Sequence, residues 1–187
     1  MAYLGPTVLN WANGQIGKQV GAGECWDLAD RALKNAGAKS SADYGPTGPD
    51  DDYIWGTEVQ LKDSQPGDIL QFRDYVMKTK TVIDVTFADD SGWDNESETE
   101  IGHPHHTAIL SRNQAGGVLA VLEQNHGGHH EKVRSTSIRW TDSNPPPTTV
   151  HKSMKRQDNG KMEMATVKTT VEISITGTIT AYRPQAR

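Results

Sequence analysis

Cysteine is the scarcest reactive residue in this sequence, which contains one, Cys25, among 187 residues. A single cysteine excludes an internal disulfide. The cellular compartment stays open, because a lone thiol can persist inside or outside a cell. Such a thiol either packs in a core as a small apolar group or acts as a nucleophile.

Long apolar runs are also missing, and only 34% of the residues are hydrophobic. The start, MAYLGPTVLNWANGQIG, has no basic segment followed by an unbroken apolar stretch, and no run is long enough to span a bilayer. We therefore expect no signal peptide or transmembrane segment, and a protein that is cytoplasmic or exported by a signal-independent route. The length suits one domain over residues 1–187, with long solvated loops.

Positive charge is in deficit, with 19 Lys and Arg residues against 24 Asp and Glu residues and a formal net charge of −5. No stripe of Lys and Arg interleaves with aromatic residues. Nucleic acid and membrane surfaces are therefore excluded as expected partners.

Apolar spacing predicts two helices near the N-terminus. Residues 7–18 carry apolar side chains at helical spacing. A second apolar stripe starts at Cys25 and continues to Ala36, after which Gly37 is a natural C-terminal stop. Gly21 and Gly23 separate the two helices.

Alternating and β-branched segments predict strands in the rest of the chain. The segments are ILQF after the turn QPGD, TVIDVTF at 81–87, HHTAIL, VLAVLEQN and the closing VKTTVEISITGTITAYRP. Helices precede strands, so the predicted class is α+β, with N-terminal helices packed on an antiparallel β-sheet.

Two segments fit less easily into this plan. Residues 73–102 have the character of an insertion, and their acidic part, ADDSGWDNESETE, is typical of a solvated loop. Residues 141–164 are proline-rich and then basic, which predicts an extended loop.

Cys25 has two interpretations. It lies on the same stripe as Leu28 and Ala29, which favours simple packing. It also falls in the first turn of its helix, where unpaired N–H groups and the helix dipole favour an anion and hence a thiolate. Histidines distant in sequence could supply a base.

His106 is the strongest candidate for that base. It directly precedes the apolar strand Thr-Ala-Ile-Leu, and a strand end is a rigid place from which to aim an imidazole. If the next hairpin turns at residues 114–115, His106 lies opposite Glu123 or Asn125, and these two share its face. Either side chain could accept a hydrogen bond from the ring and fix its tautomer.

A metal site is the alternative use of the histidines. HPHH and HGGHH could offer several imidazoles to zinc or nickel. No HExxH motif is present, and His126, His129 and His130 fall in a glycine-rich polar segment that is typical of a loop. We therefore expect no metal and no other cofactor.

The order GECWDLA, QPGDILQF, HHTAIL and VLEQN resembles the CHAP and NlpC-type cysteine peptidases and amidases of the papain-like superfamily. The resemblance implies that Cys25 is the nucleophile and His106 the base, with Glu123 and Asn125 as the E-x-N pair that orients the histidine. Pro66, Gly67 and Asp68 match the structural PGD turn. The ending GTITAYRP, together with GECWDLA, is more similar still to another branch. That branch is the cysteine-proteinase-fold domain at the C-terminus of a fungal actin-patch adaptor, with its stand-alone microbial relatives.

The resemblance implies a cysteine hydrolase of amide bonds that acts on a peptide or peptidoglycan-like substrate. The alternative is a catalytically silent papain-like fold that acts as a protein-interaction module. In that case the basic segment HKSMKRQDNGK and the acidic insertion would be docking surfaces.

Overall fold

The fold is taken from a computed structural model that describes residues 3–45, 47–48 and 50–187. It contains two α-helices, α1 (Gly5–Asn13) and α2 (Cys25–Asn35). Seven strands follow: β1 (Thr57–Val59), β2 (Ile69–Thr86), β3 (Gly92–Gln114), β4 (Val118–Glu123), β5 (Arg134–Arg139), β6 (Thr149–Arg156) and β7 (Met162–Arg183). The expected α+β class is confirmed. Among the described residues, neither helix has the length and apolar character needed to cross a membrane.

The first helix is shorter than its apolar pattern predicts. It ends at Asn13, because Gly14 follows and Gly17 adopts a left-handed conformation with φ of 79°. Ile16 lies beyond the helix and is 48% exposed. The second helix follows the prediction closely, since it begins at Cys25 and the chain turns at Gly37 with φ of 69°.

All seven strands of the described residues form one antiparallel sheet; six follow the order β1-β7-β2-β3-β4-β5, and β6 pairs with β7 off this path. The long strand β7 pairs with β2 on one side. On its other side it pairs with β6 through its first residues and with β1 through its last. Adjacent strand residues point to opposite faces, so the sheet carries a core on each side.

The core on one face lies between the sheet and the two helices. Its buried members include Val8, Ala12, Leu28, Leu33, Trp55, Ile69, Ile109 and Leu122. The opposite face carries a second cluster, which includes Leu70, Phe72, Tyr75, Leu110, Leu119, Val121 and Ile138. The first of these cores packs the helix that begins at Cys25 against β3 and β4.

The outer halves of β2, β3 and β7 join β6 in a four-stranded extension, residues 76–102 and 149–176, which we call the arm. A β-bulge marks where the arm begins. Asp74 has a left-handed φ of 52° and lies against Gly177, where any side chain would collide with the Asp74 carbonyl oxygen. Near the tip, Val85 pairs with Val167 within a small buried cluster.

Most of the acidic segment 88–100 is a strand and not the loop that its charge predicts, since β3 begins at Gly92 and only residues 88–91 form a turn. Glu96, Glu98 and Glu100 lie on β3, directly across from β2. Lys80 Nζ is 2.9 Å from Glu96 Oε2, and Lys78 Nζ is 3.4 Å from Glu100 Oε2. These pairs are exposed and add little stability, but their alternation with small polar residues is that of a strand.

The segment 141–164 also differs from its prediction as an extended loop. Residues 149–156 form β6 and residue 162 already belongs to β7. The two strands are joined through Asp-Asn-Gly at 158–160, with Gly160 at φ of 85°. Its Asn-Gly dipeptide is a strong hairpin signal.

Candidate active site

Cys25 is the first residue of α2 and is partly exposed. The chain reaches it through a tight segment in which Gly21 and Gly23 have φ of 62° and 100°. Asp27 caps the helix start, since its Oδ2 accepts hydrogen bonds from the backbone N–H of Ala22 and of Glu24 at 2.9 and 3.1 Å. The sulfur is thereby presented at a fixed helix N-terminus.

His106 lies on β3, is 3% exposed and packs against Phe72 at a ring separation of 5.9 Å. Ala108 pairs with Glu123 across the β3–β4 hairpin. Residues two apart on a strand share a face, so His106 and Glu123 share one as well. The His106 Nε2 to Glu123 Oε2 distance is 3.1 Å.

Glu123 is 1% exposed, and both of its carboxylate oxygens have hydrogen-bond partners. Its Oε1 accepts hydrogen bonds from Arg134 Nε at 2.9 Å and Nη2 at 2.8 Å, while its Oε2 faces His106. Burial alone would raise the carboxyl pKa, but the hydrogen bond and charge of His106, together with Arg134, lower it to about 2. The side chain is therefore a carboxylate at every physiological pH.

The Cys25 thiol interacts with His106 from the other side. Burial would lower the pKa of this imidazole, but the hydrogen bonds of Cys25 and Glu123 raise it to about 9. Because Nε2 faces Glu123, Nδ1 is the nitrogen left for the sulfur. The environment thus favours a charged imidazolium between the Glu123 carboxylate and the Cys25 sulfur, although the ring is buried.

Asn125 occupies a different place from Glu123. Strand β4 ends at Glu123, and Asn125 turns away with a left-handed φ of 58°. Its Nδ2 donates to Glu24 Oε2 at 2.7 Å, and its Oδ1 accepts from the backbone N–H of His130 at 2.7 Å. Of the two acceptors left open by the sequence, the structure brings Glu123 to His106.

The sequence assigned no catalytic role to two residues near this cluster. Gln124 is 0% exposed and hydrogen-bonds the segment before Cys25. His103 is 3% exposed and stacks on His106, with ring centroids 4.4 Å apart and an interplanar angle of 13°. Burial and the charge of His106 lower the pKa of His103 to about 4, so it is neutral. The sequence signal for His103 is its place in the run HPHH. Within that run, only His106 directly precedes an apolar strand, so the pattern favours His106 as the base.

His103, His106 and Glu123 bring three metal-ligating groups within 4.8 Å of one another. An imidazole binds a metal ion near its ring plane. Two stacked rings at 13° cannot both do so, because an ion between them would lie well outside each plane. Arg134 adds a positive charge beside the same carboxylate. The geometry therefore suits ring stacking and a shared carboxylate better than a metal.

Cys25 and His106 line a cleft of about 750 Å³. Trp26 and Tyr53 form one wall, and residues 125–128 form another part of the rim. This size is within the range of pockets that hold small molecules or short peptide segments. Trp55, in contrast, is fully buried behind the wall and belongs to the core.

The chain is similar to a family of known proteins. The model of the AIM3/BBC1 cysteine proteinase-fold domain matches residues 2–142. The chain is also similar to the protein named "Altered inheritance of mitochondria protein 3" of the yeast Debaryomyces hansenii, with 30% identity over 133 residues. That alignment covers 65% of this chain and 13% of the yeast protein. No solved structure matches. The match confirms the resemblance to this cysteine-proteinase-fold branch.

Proposed function

We propose that this chain, which belongs to the AIM3/BBC1 cysteine proteinase-fold family, is a cysteine hydrolase of amide bonds. The observation that carries the proposal is the series of contacts from the buried Glu123 through the buried His106 to the partly exposed Cys25, which lines an open cleft. A carboxylate that contacts the far nitrogen of an imidazole is typical of nucleophile–base sites. The motif order supports the finer assignment to a papain-like, CHAP/NlpC-type hydrolase.

The first half of the proposed reaction forms an acyl-enzyme. The Cys25 sulfur, as thiolate, bonds to the amide carbonyl carbon, and the carbonyl electron pair moves onto oxygen. His106 then gives its Nδ1 proton to the amide nitrogen as the C–N bond breaks and the amine leaves. In the second half, water attacks the thioester, His106 takes a proton from that water, and the thiolate leaves.

The surrounding groups supply charge at the points where the reaction needs it. Glu123 keeps the imidazolium charged until the leaving group requires its proton. The backbone N–H of Cys25 lies in the first helical turn, where it has no intrahelical acceptor, so it is available for the oxyanion. One such donor contributes roughly 3 kcal/mol to transition-state stabilisation.

The expected substrate class is a peptide or peptidoglycan-like amide. The cleft could receive an extended segment between Trp26 and Tyr53 on one side and the loop at 125–128 on the other. The test is hydrolysis of purified cell walls and of a peptide library by the wild-type protein and by Cys25→Ser. We expect turnover by the wild type alone. If the wild type hydrolyses none of these substrates, or if the two proteins are equally active, the proposal is contradicted.

The arm favours a second candidate, a protein-interaction module. It carries the exposed apolar side chains Val150, Met154, Met162 and Met164 at a distance from the cleft along β6 and β7. Strand β6 contains three Lys or Arg residues and no acidic one, while β3 carries the acidic series. A docking role alone predicts that Cys25 has the reactivity of a free cysteine and that Cys25→Ser changes nothing in the hydrolysis panel.

A further inference from the structure

Gln124 is a buried amide whose hydrogen bonds all reach the segment that leads to Cys25. Its Oε1 accepts from the backbone N–H of Val20 at 2.7 Å. Its Nε2 donates to the carbonyl oxygens of Val20 at 2.9 Å and of Glu24 at 2.8 Å. Both amide protons and the amide oxygen are thus committed to one stretch of backbone.

That stretch has no regular structure of its own to hold it. Residues 20–24 include two glycines at positive φ, and they lie between the turns after α1 and the first residue of α2. Buried backbone groups need partners, and Gln124 supplies three of them. Glu24, whose carbonyl it binds, is the residue immediately before the nucleophile candidate.

The neighbours of Gln124 contact both halves of the site. Glu123 binds His106 Nε2, and Asn125 Nδ2 binds the side chain of Glu24. Three consecutive residues therefore contact the base on one side and the segment before the thiol on the other. Because consecutive Cα atoms are about 3.8 Å apart, the tripeptide 123–125 fixes the distance between the base and the segment that leads to the thiol.

We propose that Gln124 is a positioning residue that fixes the Cys25 sulfur at its working distance from His106. This inference rests on the proposed function. Gln124 lies behind the segment, and its side chain hydrogen-bonds backbone groups of that segment and does not line the cleft. It acts by holding the backbone at Val20 and Glu24, so that α2 begins where the imidazole can reach its first side chain.

Gln124→Met tests the inference, because methionine has a similar length and forms none of these hydrogen bonds. The measurement is the rate of Cys25 alkylation by iodoacetamide from pH 5 to 10. In the wild type we expect a fast reaction already at pH 6. In Gln124→Met the rate at pH 6 should fall at least about 10-fold, and the profile should move toward the single rise of an ordinary thiol near about 8.5.

Leu119→Ala is the control for lost stability, because Leu119 is buried in the cluster on the face of the sheet away from the helices. It should lower the melting temperature and keep the wild-type profile. If Gln124→Met does not fold, Gln124→Asn replaces it, because the asparagine amide is too short to reach both carbonyls. The same loss of alkylation rate at pH 6 is expected. An unchanged profile in the Gln124 variant that folds overturns the inference. A wild type that reacts like free cysteine overturns the proposed function, and the inference with it.

Discussion

Replacement of Glu123 by glutamine removes one charge from the centre of the site and preserves its shape. The carboxylate is 1% exposed and lies between Arg134 and His106. In Glu123→Gln the imidazolium loses its buried counter-ion, while the burial that opposes its charge remains. We therefore expect the pKa of His106 to fall from about 9 to about 7 or below.

The magnitude follows from the pKa values. The rise of the His106 pKa from 6.5 to about 9 favours the imidazolium by about 3 kcal/mol. The fall of the Glu123 pKa from 4.5 to about 2 is of similar size. Loss of the charge should therefore lower the free energy of unfolding at pH 7 by about 2–4 kcal/mol. It should also reduce the thiolate–imidazolium population, and with it the alkylation rate of Cys25, by up to about 100-fold.

Three assays check this prediction. A pH titration of the ring protons of His106 by NMR reports its pKa, urea unfolding reports stability, and iodoacetamide alkylation reports the reactivity of Cys25. Glu98→Gln is the matched control, since it makes the same change at an exposed position of the arm. If Glu123→Gln leaves both the His106 pKa and the alkylation rate at wild-type values, the carboxylate does not support the imidazolium and the reasoning is refuted.

Two further predictions concern pH and the arm. The pKa of Glu123 is lowered in the folded state, so its contribution to stability is present above about 4.5 and is lost as the pH falls toward about 2. The pKa of His106 is raised, so its contribution is present below 6.5 and is lost as the pH rises through about 9. Melting temperatures from pH 2 to 10 should show both slopes, and Glu123→Gln should make the acid slope shallower; exposed carboxyls such as Asp43 and Asp50, whose pKa values are also lowered, keep part of it. An acid slope as steep as that of the wild type would contradict the assignment. Met154→Ser with Met164→Ser should leave Cys25 alkylation within about two-fold of wild type, because exposed positions far from a site couple weakly to it, and a larger loss would show that the arm shapes the cleft.

The sequence predicts the parts of the site that depend on local patterns of apolar and polar residues. The apolar stripe from Cys25 and the stop at Gly37 predict α2 at its observed start. The β3–β4 hairpin predicts that His106 and Glu123 share a face, and the pairing of Ala108 with Glu123 agrees, although the register shifts between Leu110 and Arg112. Asn125 lies in the same pattern, but the strand ends before it, and a chain turn at one residue is not visible in apolar periodicity.

The roles that sequence reasoning missed depend on contacts between distant segments. Gln124 is an ordinary polar residue until β4 is placed beside residues 20–24, 100 positions earlier. Two of the four arm strands were predicted in part, through TVIDVTF at 81–87 and the closing segment from Val167. The acidic part of β3 was missed because its charge is typical of a loop, although its glutamates alternate as the facing Lys78 and Lys80 do. Strand β6 was missed although Asn-Gly at 159–160 marks its hairpin.

The most direct test of the account is the alkylation rate of Cys25 at pH 6, measured for the wild type, for His106→Ala and for free cysteine. A thiol held as an ion pair with His106 should react at least about 10-fold faster than free cysteine, and His106→Ala should abolish that advantage. A wild-type rate equal to that of free cysteine, or one unchanged by His106→Ala, would contradict the claim that these residues form a working nucleophile and base.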